Sequence, residues 1–236
     1  MIKGILWDND GVLVNTEEIF YATNREIFSE QGIDLSPGEF IAWFLEDNRG
    51  AWHLLRERGY SDRKISELRK ARNAAYTAAL HQSTGLARSG IADLLARLYR
   101  KIPMGIVTAS FKEDFYLMHG KLQFLNYFDF VLTRNKKLRP KPHPDSYLLG
   151  LKKLGVLAAN CIAVEDSPRG LAAATAAGIK CIVIRSNLLM NYQFVNAYRV
   201  VDSVDELTIE LGYLLNKLPK SDLLHPISAT GCCNNN

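Results

Sequence analysis

The sequence predicts an α/β fold, a parallel sheet wrapped by crossover helices, with a separate helical domain inserted after the first strand. Short apolar runs of strand length alternate with longer runs of helical period, as expected of strands joined through helices. That rhythm fails between Asn15 and Gly85, where about seventy residues read as helix alone. Polar residues also stand where several apolar runs stop, which is where an open α/β sheet binds its ligands.

Strands are expected over residues 2–7, 104–108, 128–132, 161–165 and 180–184, with 199–201 at an edge. Helices are expected between them over 91–99, 112–119, 144–154, 168–177 and 205–215, with Pro144 and Pro168 where a first turn tolerates proline. Inside the insertion, helical stretches fall near 17–31, 37–44, 50–58 and 62–80, punctuated by Gly32, Gly50, Gly59 and Gly85. The insertion exceeds an ordinary crossover and is expected to form a lid over the carboxyl ends of the strands. The expected domains are therefore a core of 1–14 with 86–218, a helical cap of 15–85, and a non-periodic tail of 219–236 ending in paired Cys232 and Cys233.

With 236 residues, 47% of them apolar and 23% charged, the chain can bury a sizeable core, which argues against wholesale disorder. No apolar run approaches the roughly 20 residues that span a bilayer. Met1-Ile2-Lys3 leads directly into the first apolar run, so no secretory leader is expected and the location is read as cytoplasmic. A net charge of +4 is too small to indicate nucleic acid. Arg134, Lys136, Lys137, Arg139 and Lys141 concentrate positive charge, which would draw anions if they border a cleft and is otherwise a solvated loop. Cys161 and Cys181 sit in apolar runs and read as core; a disulfide framework is not expected.

The chemistry starts at Asp8 and Asp10, two carboxylates at the mouth of the first strand. Residues two apart share a strand face, so the pair repel unless a cation or a shared proton intervenes. Gly11 then allows a sharp turn. Thr108 closes the second strand, Ala109 and Ser110 open the next turn, Lys141 lies in the basic run, and Glu165 with Asp166 ends the fourth strand. Two acidic pairs at two strand ends suit magnesium, which prefers carboxylate, water and phosphate oxygens.

Four segments in series, Asp8-Asn9-Asp10-Gly11-Val12-Leu13, Ile106-Val107-Thr108-Ala109-Ser110, Lys141-Pro142-His143-Pro144-Asp145 and Val164-Glu165-Asp166-Ser167-Pro168-Arg169-Gly170, resemble the ordered motifs of the haloacid dehalogenase superfamily. Their order and spacing match from residue 1 to about 215. The insert after the first motif is similar to the helical cap of the branch containing phosphoglycolate phosphatases, sugar phosphatases and beta-phosphoglucomutase. The resemblance implies a Rossmann-like core and a magnesium-dependent phosphatase acting on a small phosphorylated metabolite, a sugar phosphate or phosphoglycolate-like compound.

In that scheme Asp8 is the nucleophile that forms an aspartyl phosphate, and Asp10 is the general acid and then base. Asp8, the backbone carbonyl of Asp10, Glu165 and Asp166 hold the metal, with Asp166 favoured as the firmer ligand. Thr108, Ala109, Ser110 and Lys141 bind the phosphoryl oxygens, and Lys141 also keeps Asp8 ionised and oriented. Gly170 is read as allowing close helix packing. The cap supplies leaving-group recognition, with Asn48, Arg49, Trp52, Arg72, Asn73 and Tyr76 as candidate lining residues and Arg49 and Arg72 as substrate-binding cations.

Phosphoglucomutase-type members carry a histidine ten residues after the second aspartate, where this chain has Phe20, so hydrolysis is favoured over a mutase. Asp10 and the later acidic pair argue against dehalogenation. Asn15 replaces an aspartate common in this branch, and His143 is assigned no catalysis. A phosphoryl-accepting signalling or binding module without turnover is the reading from another class, although a response-regulator receiver domain orders its acidic residues differently. The protein is expected to act without nucleic acid or membrane, as a monomer or weak homodimer.

Overall fold

A computed structural model describes residues 1–120 and 122–215; the expected tail, with Cys232 and Cys233, lies outside them. The strands are β1 (Gly4–Trp7), β2 (Met104–Val107), β3 (Phe130–Leu132), β4 (Cys161–Glu165), β5 (Lys180–Ile184) and β6 (Arg199–Val201). They form one parallel sheet in the order β3-β2-β1-β4-β5-β6. Chain progression reverses between β1 and β4, and this switch point is where such sheets leave a crevice at their carboxyl ends.

Apolar residues occupy both strand faces because helices cover both sides. Leu6, Val107, Ala163, Cys181 and Val183 join one core; Ile5, Trp7, Ile106, Ile162, Val164 and Ile182 join the other. The second core packs on α5 (Ile91–Leu98), α6 (Lys112–His119) and α9 (Val204–Leu215), and the first on α7 (Asp145–Leu154) and α8 (Pro168–Ala176). Cys161 and Cys181 are buried free thiols, as their apolar runs predict.

The insertion folds as α1 (Glu17–Ser29), α2 (Pro37–Phe40), a π-helical stretch Ile41–Glu46, α3 (Trp52–Glu57) and α4 (Asp62–Gln82). Its core is aromatic: Phe40 stacks on Phe44 at 5.1 Å, and Phe28 meets Trp52 at 4.9 Å. Its two connections pair with each other, through Asn15 N–H to the Leu86 carbonyl (2.8 Å) and Arg88 N–H to the Leu13 carbonyl (3.0 Å). No helix among the described residues is long and apolar enough to cross a membrane.

Several elements differ from expectation. The helix expected over 37–44 is α-helical only to Phe40, after which the π turn widens the backbone so that Asp47 N–H reaches the Ala42 carbonyl (3.1 Å). Pro144 caps α7 from outside its first turn. β1 and β3 are shorter than their apolar runs, and Thr108 stands just past β2.

Candidate active site

β1 and β4 are hydrogen-bonded neighbours with Trp7 opposite Val164, so Asp8 and Glu165 leave the sheet side by side. Asp8, Glu165 and Asp166 are buried and can place three carboxylate oxygens within 4.8 Å of one another. Lys141, 4% exposed, brings its ammonium 3.1 Å from Asp8 Oδ1 as an ion contact and 2.6 Å from Glu165 Oε1 as a hydrogen bond. It also donates to the Val107 carbonyl at 3.0 Å. Burial alone would lower the Lys141 ammonium, but Asp8 and Glu165 outweigh it and hold the group above its ordinary value.

The Asp10 carboxylate has hydrogen-bond partners of its own. Oδ1 accepts from Thr16 Oγ1 (2.8 Å), while Oδ2 accepts from Thr108 Oγ1 (3.2 Å) and from the Ser110 hydroxyl. Ser110 N–H in turn donates to Thr108 Oγ1 at 3.0 Å. The two aspartates of the first motif thus face different partners, one the lysine and the acidic cluster, the other a ring of hydroxyls.

Five carboxyl groups, Asp8, Asp10, Glu17, Glu165 and Asp166, interact here against the Lys141 ammonium. Burial, with Glu165 second, pushes the Asp8 carboxyl up against the lowering pull of Lys141. Burial and then Glu17 push Asp166 up. Glu165 Oε2 is buried without a hydrogen-bond partner. An excess of buried carboxylate with an oxygen-only donor set fits a hard divalent cation such as magnesium.

Several contributors had no sequence signal beyond their type. Glu17 opens α1 and reads as an ordinary first-turn acid; it is instead buried against Asp166, and burial with the Asp10 charge raises it to about 8. Tyr147 is fully buried, donates to Glu165 Oε1 at 2.5 Å, and places its ring 5.1 Å from the Lys141 ammonium. His119 Nε2–H donates to Asn9 Oδ1 at 2.6 Å, and burial lowers the imidazole to about 4, so it is neutral. Arg88 ties the carbonyls of Gly11 and Arg185 together. Gly170 was expected to serve helix packing; its missing side chain also makes room for Glu165.

Above the carboxylates lies a cavity of about 1050 Å³, walled by the cap on one side and the basic loop on the other. Arg49, Trp52, Arg72, Asn73 and Tyr76 all reach it. Arg49 is half exposed and pairs with Asp47 at 3.2 Å. Arg72 is held by Asn24 Oδ1 (3.1 Å) and Asn73 Oδ1 (2.9 Å), over the ring of Phe20 at 4.8 Å. Burial lowers its guanidinium to about 10, still charged at neutral pH. In the basic run, Arg134 packs over Phe111 and Arg139 pairs with Asp145, so the loop is a cavity rim.

The profile of the haloacid dehalogenase-like hydrolases matches residues 5–184, spanning every strand that carries these groups. The chain belongs to this family. It is 30% identical to the putative phosphatase YhcW of Bacillus subtilis over 226 residues, covering 92% of this chain and 98% of that protein. Among solved structures it is similar to CbbY (mutant D10N) from Rhodobacter sphaeroides in complex with xylulose-(1,5)bisphosphate, at 27% identity and TM-score 0.66, covering 86% of this chain and 95% of CbbY. It is also similar to beta-phosphoglucomutase from Clostridium difficile, at 26% identity and TM-score 0.74, covering 91% and 97%. By its family the chain is a haloacid dehalogenase-like hydrolase.

Proposed function

We propose that the protein hydrolyses a small sugar phosphate or related phosphorylated metabolite, with magnesium, through an aspartyl phosphate on Asp8. The reading rests on one observation above all: buried Asp8 contacts the Lys141 ammonium and lies within reach of Glu165 and Asp166, while the Asp10 carboxylate is held by the hydroxyls of Thr16, Thr108 and Ser110. Asp8, the Asp10 carbonyl and Asp166 would hold the metal, with Glu165 beside them. Bound there, magnesium would offset the charge of a phosphate dianion next to a carboxylate.

An Asp8 carboxylate oxygen attacks phosphorus, and the bond to the leaving oxygen breaks as Asp10 gives that oxygen a proton. Asp10 then takes a proton from water, the water oxygen attacks phosphorus, and the phosphorus bond to Asp8 breaks, restoring the carboxylate. Lys141, the Thr108 hydroxyl and the N–H groups of Ala109 and Ser110 bind the phosphoryl oxygens, where electrostatic stabilisation dominates such reactions. The segment 15–85 acts as the cap that excludes water and recognises the leaving group. Arg72, a half-buried cation held by two asparagine amides and an aromatic face, suits an anionic or hydroxyl-rich leaving group, and Arg49 adds a second cation at the rim.

Phe20 supports hydrolysis over phosphomutation. It sits inside an aromatic cluster, 5.3 Å from Tyr76 and 5.9 Å from Phe40, and brings no titratable group to the position where mutases carry histidine. The test is turnover of p-nitrophenyl phosphate, fructose 1-phosphate and xylulose 1,5-bisphosphate with magnesium. Phosphate release that is lost with chelator and in both Asp8→Asn and Asp10→Asn is the expected result. Sugar phosphate isomerisation without phosphate release, or a stable phosphoprotein without turnover, defeats the reading.

A further inference from the structure

Between Phe44 and Asn48 the cap meets the sheet domain through side chains that the proposed chemistry leaves unused. Arg169 lies three residues beyond Asp166, in the first turn of α8. Its Nη1 donates to the Phe44 carbonyl at 3.0 Å and to Asn48 Oδ1 at 2.7 Å. On the same cap segment, Glu46 Oε1 accepts from the Tyr192 hydroxyl at 2.6 Å. Asn48 Nδ2 points at the Lys141 carbonyl, 3.5 Å away.

The local backbone explains why a side chain from the core is wanted there. Phe44 lies in the last turn of the π-helical stretch, where carbonyls run out of helical donors and need another partner. Asn48 then adopts φ 56°, a left-handed conformation uncommon outside glycine, although asparagine tolerates it better than most residues. A strained residue persists when its surroundings fix it. Here they do so from two sides, the Arg169 guanidinium and the Lys141 loop. The next residue is Arg49, at the cavity rim.

We propose that Arg169 is a positioning residue: it clasps cap segment 44–48 onto the metal-side helix and so fixes the cap wall of the cavity over the phosphoryl site. The clasp joins three things that lie far apart in sequence, the cap turn, the loop that carries Lys141 and the helix that follows Asp166. The inference rests on the proposed phosphatase reading for its kinetic consequence, while the docking contact can be measured without turnover. A substrate whose leaving group must be held by the cap depends on the clasp. A donor as small as acetyl phosphate does not.

Three single variants and a double variant test it. Hydrogen exchange is compared in wild type and Arg169→Ala. Faster exchange confined to residues 41–50, with β1 and β4 unchanged, is expected; unchanged exchange at 41–50 overturns the clasp. Kinetically, Arg169→Ala is expected to raise KM for fructose 1-phosphate about tenfold, in line with loss of a charge-assisted hydrogen bond. Acetyl phosphate hydrolysis stays within twofold, and Arg169→Lys recovers part of the loss. Asn48→Gly should also raise KM, and the double variant should add little to Arg169→Ala alone, since the Arg169–Asn48 bond is already lost there. Equal losses on both substrates, or full additivity in the cycle, overturn the positioning role. Absence of turnover by the wild type on either substrate counts against the phosphatase reading instead, and leaves the exchange result to decide the clasp.

Discussion

Replacing Gly170 with alanine sets two calculable effects against each other. Alanine gains about 1 kcal/mol over glycine inside a helix, and Gly170 lies in α8, where no positive φ forbids a side chain. A Cβ built there would lie 2.0 Å from Glu165 Oε2 and 2.2 Å from its Cδ, so the carboxylate must move by more than 1 Å to reach ordinary contact. Glu165 is fully buried and held by Lys141 at 2.6 Å and Tyr147 at 2.5 Å, so it has no free direction in which to move. Overpacking costs about 1–3 kcal/mol, and breaking the buried Lys141–Glu165 pair costs about 3–5 kcal/mol. The clash therefore outweighs the propensity gain, and a net loss of at least about 2 kcal/mol is expected in urea unfolding, with the slope unchanged. Turnover at a temperature where the variant is folded should fall at least tenfold, because the lysine loses its anchor. Gly38→Ala is the control: it also sits in a helix, with nothing within 4 Å, and should be neutral or slightly stabilising. A gain of about 1 kcal/mol in Gly170→Ala would refute the reasoning, since helix propensity alone would then account for the site.

Tyr147→Phe keeps the ring beside Lys141 but removes the donor to Glu165; stability should fall by about 1–2 kcal/mol and kcat by about tenfold, read by urea unfolding and steady-state rates. Arg72→Gln should raise KM for fructose 1-phosphate about tenfold with kcat within twofold, the signature of lost uniform binding; an equal fall in kcat would place Arg72 in the chemical step instead. His119 should make stability depend on acid. Its folded value near 4 lies below the unfolded value of about 6.5, so its contribution is complete above pH 6.5 and is lost as pH falls toward 4, when the unfolded state takes a proton that the folded state refuses. The difference in unfolding free energy between wild type and His119→Gln should shift by up to about 3 kcal/mol across that window, and a flat difference would show that the imidazole protonates in place.

Much of the sheet was legible because its periodicity is strong and its ends are marked by polar residues. β4, β5 and β6 fall where their apolar runs predict. Cap helix boundaries were less legible. Ile41–Glu46 has an ordinary helical composition, and its wider turn is accompanied by tertiary contacts, the packing of Phe40 and Phe44 against Phe20 and Phe28 and the bonds from Arg169 and Tyr192. Glu17 and Tyr147 were invisible for a related reason: a first-turn glutamate and a helical tyrosine are common types, and nothing in their neighbours announces burial.

The sequence by itself determined the stations of the chemistry. In a parallel α/β sheet all carboxyl ends lie on one edge, so Asp8, Thr108 and Glu165-Asp166 had to gather once their runs were strands, and Lys141 followed from its motif. Tertiary structure decided how those groups divide: Asp8 toward Lys141, Asp10 toward Thr16 and Ser110, Glu165 toward Tyr147, and cap segment 44–48 onto Arg169. Those partnerships depend on which helix covers which strand end and on how deeply each charge is buried, and both arise from contacts between residues far apart in the chain.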